Sequence, residues 1–172
     1  MRARSLSLAA SAAALVLLQP GLAAAADDPS TTVTYTVTSG ALTMSAPVSA
    51  ALGSGAPGTT ISAPIGPVTV TDDRALLSAS WSVTAAETDF TSGGPTTIPA
   101  TDATYTVGTV TTTGTITATG TDVTLSNSAQ VVVTGSAGVG DNTATWNPTI
   151  AVSVPATAVG GAYTGTLTQS VA

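Results

Sequence analysis

The sequence of 172 residues contains no cysteine and no histidine, and lysine is also absent. Without cysteine the fold can hold no disulfide, and thiolate chemistry is excluded. Without histidine, cysteine or lysine, a serine nucleophile lacks every usual general base except a carboxylate. These absences argue against an enzyme that works through an activated nucleophile.

Positive charge is nearly missing as well. Arg2 and Arg4 lie at the N-terminus, so Arg74 is the one basic side chain in the rest of a sequence that carries nine acidic residues. The net charge of −6 becomes −8 once Arg2 and Arg4 are removed with a leader. A chain of this charge repels phosphate backbones and has no attraction to anionic lipid, so we expect no nucleic-acid partner.

Residues 1–26 have the three parts of a secretory signal peptide. Two arginines form the positive region, residues 6–18 form the apolar region, and the alanines at 24–26 supply the small side chains before a cleavage site. The apolar run is shorter than the ~20 residues of a membrane span. We therefore expect a secreted, extracellular or cell-wall-associated protein with no membrane span after cleavage, and a single domain over residues 27–172.

Large apolar side chains are few, since 43% of the residues are hydrophobic but only 3% are aromatic. The apolar residues of the mature chain alternate with threonine and serine, the period that is typical of half-buried strands. The alternating stretches are residues 32–38, 68–71, 80–84, 145–154 and 163–171. No stretch shows the period of an amphipathic helix. The pattern predicts an all-β fold, an antiparallel β-sandwich with immunoglobulin-like or related Greek-key topology.

Threonine occupies every second position of residues 109–119. The parity of the pattern changes around Gly108, which predicts a bulge or a bend there. A threonine row is one requirement of an ice-binding surface, but such a surface needs several aligned strands with the same repeat, and the sequence shows only one. A strand with a solvent-facing threonine side is the plainer interpretation. Loops are predicted at residues 47–58, 91–99, 120–122, 126–128 and 135–142.

The acidic residues offer few candidate sites. Asp72 with Asp73, or Glu87 with Asp89, are the carboxylate pairs that a small glycan hydrolase would use, and solvated loop charges are the alternative interpretation. Calcium is the metal ion that oxygen ligands alone would favour, and Asp72-Asp73 and the loop at Asp141 are the best clusters, although neither has a defined ligand spacing. We expect no cofactor.

Five residues are candidate binding or motif positions: Asp72, Arg74, Trp81, Val83 and Trp146. Arg74 lies beside carboxylates, and its guanidinium either ties loop oxygens together or binds a ligand. Trp81 shares a strand face with Val83, so we expect it in the core. Trp146 stands near the start of a strand, and we expect it closer to the rim.

Several segments, taken in their order and spacing, resemble the WxL surface domain. Residues 68–74 (Val-Thr-Val-Thr-Asp-Asp-Arg), 80–83 and 89–94 are similar to its first half, and residues 146–156 and 161–168 are similar to its closing hairpin. The first Trp-x-Leu motif appears here as Trp81-Ser82-Val83. The second appears as Gln169-Ser170-Val171, without its tryptophan.

The resemblance implies a β-sandwich that attaches non-covalently to the cell wall of Gram-positive bacteria through peptidoglycan, and it supplies no catalytic residue. The alanine, threonine and glycine bias is similar to that of actinobacterial members of the family. We therefore expect a non-catalytic cell-surface protein whose partner is wall polymer or another cell-surface protein. One alternative is a structural or assembly subunit that pairs through exposed strands such as residues 110–118, and another is a small carboxylate-dependent glycan hydrolase.

Overall fold

The computed structural model describes residues 30–172. The predicted signal peptide lies outside the described residues. The chain divides into two units, Met1–Thr36 and Val37–Ala172, and the folded domain is the second of them. Within this described part of the chain, no helix is long and apolar enough to cross a membrane.

The strand predicted at residues 32–38 does not form. This stretch has no regular secondary structure, and Val33, Tyr35 and Val37 are 82%, 87% and 73% exposed. An alternating sequence has a high β propensity and one apolar side, but a strand also needs a neighbouring strand whose backbone pairs with it. The prediction at this position was therefore wrong.

The domain consists of twelve strands and one short 3-10 turn in the described residues. Their bounds are β1 Leu42–Ser45, β2 Thr60–Pro64, β3 Val68–Asp72, β4 Leu77–Glu87, β5 Phe90–Thr91, β6 Thr97–Ile98, the 3-10 turn Ala100–Asp102, β7 Ala103–Thr106, β8 Thr111–Gly120, β9 Val123–Thr124, β10 Gln130–Trp146, β11 Thr149–Ser153 and β12 Leu167–Val171.

The strands form two main antiparallel sheets and a small two-stranded ribbon. Sheet A contains β1, β3, β4, β8, β10 and β12, and sheet B contains β2, β11, β7 and β9 in that order. The ribbon consists of β5 and β6. The prediction of an all-β antiparallel sandwich is confirmed.

One hydrophobic core lies between the inner faces of the two sheets. Each strand contributes alternate residues, so β4 buries Ala79, Trp81, Val83 and Ala85 while its intervening serines and threonines face outward. Sheet B contributes residues such as Tyr105. The core is thus built by the inward-facing members of each strand, while other large apolar side chains, such as Val48 and Leu77, stay exposed.

The long strand β10 organises sheet A. Its residues 130–139 pair with β4, its residues 142–146 pair with β3, and β8 pairs with both parts. The loop predicted at residues 135–142 is therefore wrong, because these glycine-rich residues continue β10 with shifts of register. Gly108, where a bulge or a bend was predicted, has φ +72° and lies between β7 and β8, and the more buried positions change there from odd-numbered to even-numbered residues.

Candidate functional site

Asp72 and Arg74 form a closed ion pair where β3 ends. The guanidinium donates from Nε to Asp72 Oδ1 and from Nη2 to Oδ2, both at 2.8 Å, and the Arg74 backbone N–H donates to Oδ1 at 3.1 Å. Nη2 also donates to the Ser80 carbonyl at 3.0 Å. The pair thus ties the β3–β4 connection to β4, which is an architectural role for both residues.

The hydrogen bonds of Arg74 hold the pKa of the buried Asp72 carboxyl below its usual range, and Asp72 in turn raises the pKa of Arg74. Both carboxylate oxygens already accept hydrogen bonds from Arg74. Among the described residues, no three acidic side chains come together as a metal site. The aspartates proposed for calcium are thus not gathered into such a cluster.

The motif tryptophans are both core residues. Trp81 is 4% exposed and Val83 is fully buried, as predicted. Trp146 is 2% exposed, so its predicted position near the rim was wrong. Its indole N–H donates to the Tyr105 hydroxyl at 2.9 Å, and that hydroxyl donates to Gln169 Oε1 at 2.9 Å. The end of β10 is buried because β11 continues directly beneath sheet A, which the sequence pattern does not reveal.

The outer face of sheet A carries an ordered set of hydroxyl groups. Four strands, β1, β3, β10 and β8, align so that threonine or serine meets threonine in two successive rows. We call these eight residues the hydroxyl face. The first row is Thr43, Thr71, Thr143 and Thr113, and the second is Ser45, Thr69, Thr145 and Thr111.

The spacing of the hydroxyl face follows from strand geometry. Neighbouring strands lie about 4.8 Å apart, and same-face residues along one strand lie about 6.8 Å apart. Thr69 and Thr145 share a hydrogen bond of 3.0 Å between their hydroxyls, and Thr113 and Thr143 share one of 2.5 Å. The members on β1 and β8 are exposed, and those on β3 and β10 are half-buried by their neighbours. The face offers uncharged donors and acceptors in a regular two-by-four arrangement.

The sequence indicated only the β8 part of the hydroxyl face. The other strands contribute just two members each, so no single segment stands out as a repeat. The long threonine repeat does occur on one strand, as stated from the sequence, but shorter Thr-x-Thr or Thr-x-Ser pairs on β1, β3 and β10 align with it. The available signal was the shared Thr-x-Thr spacing of residues 69–71, 111–113 and 143–145, which becomes informative only when the strand register is known.

A second candidate site is a cavity of about 690 Å³ within the Val37–Ala172 domain. It is bounded by the loop of residues 47–57, by inward residues of β2, β4, β11 and β12, and by residues 158–166. Most lining side chains are apolar, and they include Leu52, Ile61, Phe90, Ile150, Val152 and Leu167. This volume lies in the range of about 300–1,000 Å³ that small-molecule sites occupy.

Among the residues that the structure describes, Glu87 is the one carboxylate that lines this cavity. It is the last inward residue of β4, only 5% exposed, and its Oε1 has no hydrogen-bond partner. Burial raises the pKa of Glu87 to about 7, although a hydrogen bond with the Thr88 backbone opposes this effect. A buried carboxyl group with one unpartnered oxygen is costly to a fold, so Glu87 is a functional candidate.

The predicted pairing of Glu87 with Asp89 does not occur in this cavity. Asp89 is absent from the cavity lining, and its Oδ1 accepts a 2.9 Å hydrogen bond from the Ala100 backbone N–H. A glycoside hydrolase needs two carboxyl groups on either side of one bond. The geometry therefore gives the hydrolase hypothesis no support.

No family model, curated protein or solved structure matches the chain. The similarity to WxL domains therefore depends on the motifs of residues 68–94 and 146–168 alone.

Proposed function

We propose that this protein is a secreted, non-catalytic cell-surface protein that binds cell-wall polymer non-covalently through the hydroxyl face. The observation that carries the proposal is the alignment of eight threonine and serine hydroxyls across β1, β3, β10 and β8. Glycan strands present hydroxyl and amide groups, and such groups exchange hydrogen bonds with uncharged hydroxyls without the cost of desolvating a charge.

The negative charge of the chain is compatible with a contact to wall polymer that is made of hydrogen bonds between uncharged groups. The mature chain would carry −8, so an anionic wall polymer gains no attraction from the protein as a whole. The eight residues of the hydroxyl face carry no charge. The motif tryptophans play no direct part in this proposal, because Trp81 and Trp146 are buried and serve the core.

A pull-down with insoluble peptidoglycan tests the proposal. The mature chain is expected in the pellet, and the double variant Thr111→Val/Thr113→Val should reduce the bound fraction several-fold, since it removes two exposed hydroxyls while keeping a β-branched shape. The matched control is Thr104→Val/Thr106→Val, which changes two exposed threonines of β7 in sheet B. Absence of the wild-type chain from the pellet, with and without calcium, would overturn the proposal.

A second candidate function is an assembly subunit, and the position of β8 favours it. In the described part of the chain β8 pairs only with β10, so one edge of this ten-residue strand is unpaired. An unpaired edge can accept a strand from another protein. Size-exclusion chromatography of the mature chain, alone and mixed with surface proteins encoded beside it, tests this function. A strict monomer that binds none of them would count against it.

A further inference from the structure

The cavity described above has the composition of a site for a ligand with one polar end. Its walls are mostly apolar, and among residues 30–172 its lining contains a single carboxyl group, that of Glu87, and no basic side chain. Arg74, the only basic residue among residues 30–172, is held by Asp72 at another position. A ligand that complements this lining supplies the positive charge that the protein itself does not supply.

The Glu87 carboxyl and an aromatic ring lie together against the backbone of a glycine. A Cβ on Gly165 would lie 2.5 Å from Glu87 Oε1 and 2.7 Å from Phe90 Cδ1, so both groups pack against the same backbone position. Tyr163 also lines the cavity. A carboxylate beside aromatic rings is a favourable setting for an ammonium group, through an ion pair and cation–π attraction.

We propose that the cavity binds a small organic cation, an apolar body that carries one ammonium group, with the ammonium donating to the Glu87 carboxyl where this side chain lines the cavity. The carboxyl then gains a charge-assisted hydrogen bond, and the apolar body replaces water along the aliphatic walls. This binding does not depend on the wall-polymer proposal, because the cavity is lined by inward-facing residues and by loops, and none of the hydroxyl face belongs to it.

Calorimetric titration of the mature chain with three probes of equal chain length tests the charge preference. The probes are n-hexylammonium chloride, 1-hexanol and sodium hexanoate. A charge-assisted hydrogen bond predicts that the ammonium binds about tenfold tighter than the alcohol or better, and that hexanoate binds most weakly. Equal affinity for ammonium and alcohol, or no binding of any probe, would overturn the proposal.

Two variants show whether Glu87 carries the preference. Glu87→Gln keeps the size of the side chain and removes its ability to ionise, so the ammonium should lose its advantage over hexanol. Asp141→Asn removes one exposed carboxylate that is not part of the cavity, and the preference should survive. A preference that persists in Glu87→Gln contradicts the proposal.

A measurement on the wild-type chain decides the case if Glu87→Gln fails to fold. An ammonium beside Glu87 favours the ionised carboxylate, so binding near neutral pH should release a fraction of a proton. Titration in two buffers with different heats of ionisation measures that fraction. Hexylammonium binding with no proton release at any pH from about 4.5 to about 7 would also refute the proposal.

Discussion

The indole of Trp81 packs directly against the backbone of Gly135. A Cβ at position 135 would lie 2.6 Å from Trp81 Cζ2 and 2.7 Å from Cδ2, and both residues are buried. Gly135→Ala should therefore destabilise the domain by about 2 kcal/mol or more, because the rigid indole has to move within a packed core. Thermal and denaturant unfolding of the mature chain measure this change.

Gly160→Ala is the matched control for Gly135→Ala. Gly160 is exposed, and a Cβ there meets no atom within 4 Å. Its unfolding free energy should stay within about 0.5 kcal/mol of the wild type. If both variants unfold at the same denaturant concentration as the wild type, the close approach of Trp81 to Gly135 is not a feature of the protein in solution.

The sequence pattern predicted correctly the strands that have one face buried in the core. It gave wrong predictions where a strand depends on pairing with a neighbouring strand. Alternation in β3 and β4 identified the inward positions of Val68, Trp81 and Val83, because burial on one face imposes a period of two. The same period at residues 32–38 gave a wrong strand. Glycine at residues 135–140 suggested a loop, whereas bulges accommodate these glycines within β10.

The Asp72–Arg74 pair provides a second prediction. Asp72 is fully buried, and its carboxylate accepts three hydrogen bonds from Arg74. Arg74→Ala should cost about 3 kcal/mol, because it leaves a buried charge without its partner. Chemical denaturation of Arg74→Ala, of Asp72→Asn and of the double variant gives the coupling energy between the two residues.

The two interpretations of Arg74 make different predictions. In the architectural role, Arg74→Ala lowers stability and leaves peptidoglycan binding unchanged in the cold, where the domain stays folded. The pKa of the Asp72 carboxyl is lower in the folded state than in the unfolded chain. The contribution of this carboxylate to stability is therefore present above the unfolded-state pKa, and it is lost as the pH falls through the folded-state pKa. A folded Arg74→Ala variant that no longer enters the peptidoglycan pellet would favour a ligand-binding role instead.

Tyr105 links the core indole of Trp146 to Gln169 through its hydroxyl. Tyr105→Phe leaves the indole N–H and Gln169 Oε1 without their observed partner, so a loss of about 2 kcal/mol is expected. Tyr163→Phe is the control, because its hydroxyl bonds Thr96 and the Val159 carbonyl near the surface. Equal effects of the two substitutions on the unfolding free energy would contradict the prediction.

The candidate sites were harder to predict than the fold because both are made of residues that are distant in sequence. To predict the hydroxyl face, one has to know the register between β1, β3, β10 and β8. This register places residues 43 and 143 in the same row, on either side of Thr71. The cavity needs the loop of residues 47–57 to meet β12. Glu87 has the same parity as Trp81 and Val83, so the alternation of β4 places it on the inward face, but a carboxylate there was interpreted as a solvated loop charge.

The pH dependence of stability provides a test of the environment of Glu87. Its pKa is raised from 4.5 to about 7, so the folded state binds a proton that the unfolded state has released between these values. The unfolding free energy should therefore fall as the pH rises from about 4.5 to about 7, by up to about 3 kcal/mol, and then level off with respect to this group. Within the described part of the chain, Tyr163 is the other titratable residue of the cavity lining, and no basic residue belongs to this lining.

Glu87→Gln should remove this pH dependence, because the amide stays neutral throughout the range. Its stability relative to the wild type is expected to be higher at about pH 8 than at about pH 4.5, since only the wild type then buries an ionised carboxylate. Asp141→Asn removes an exposed carboxylate and should leave the wild-type profile in place. Denaturant unfolding at several pH values measures the three profiles, and parallel curves for the wild type and Glu87→Gln would show that the carboxyl is solvated in solution.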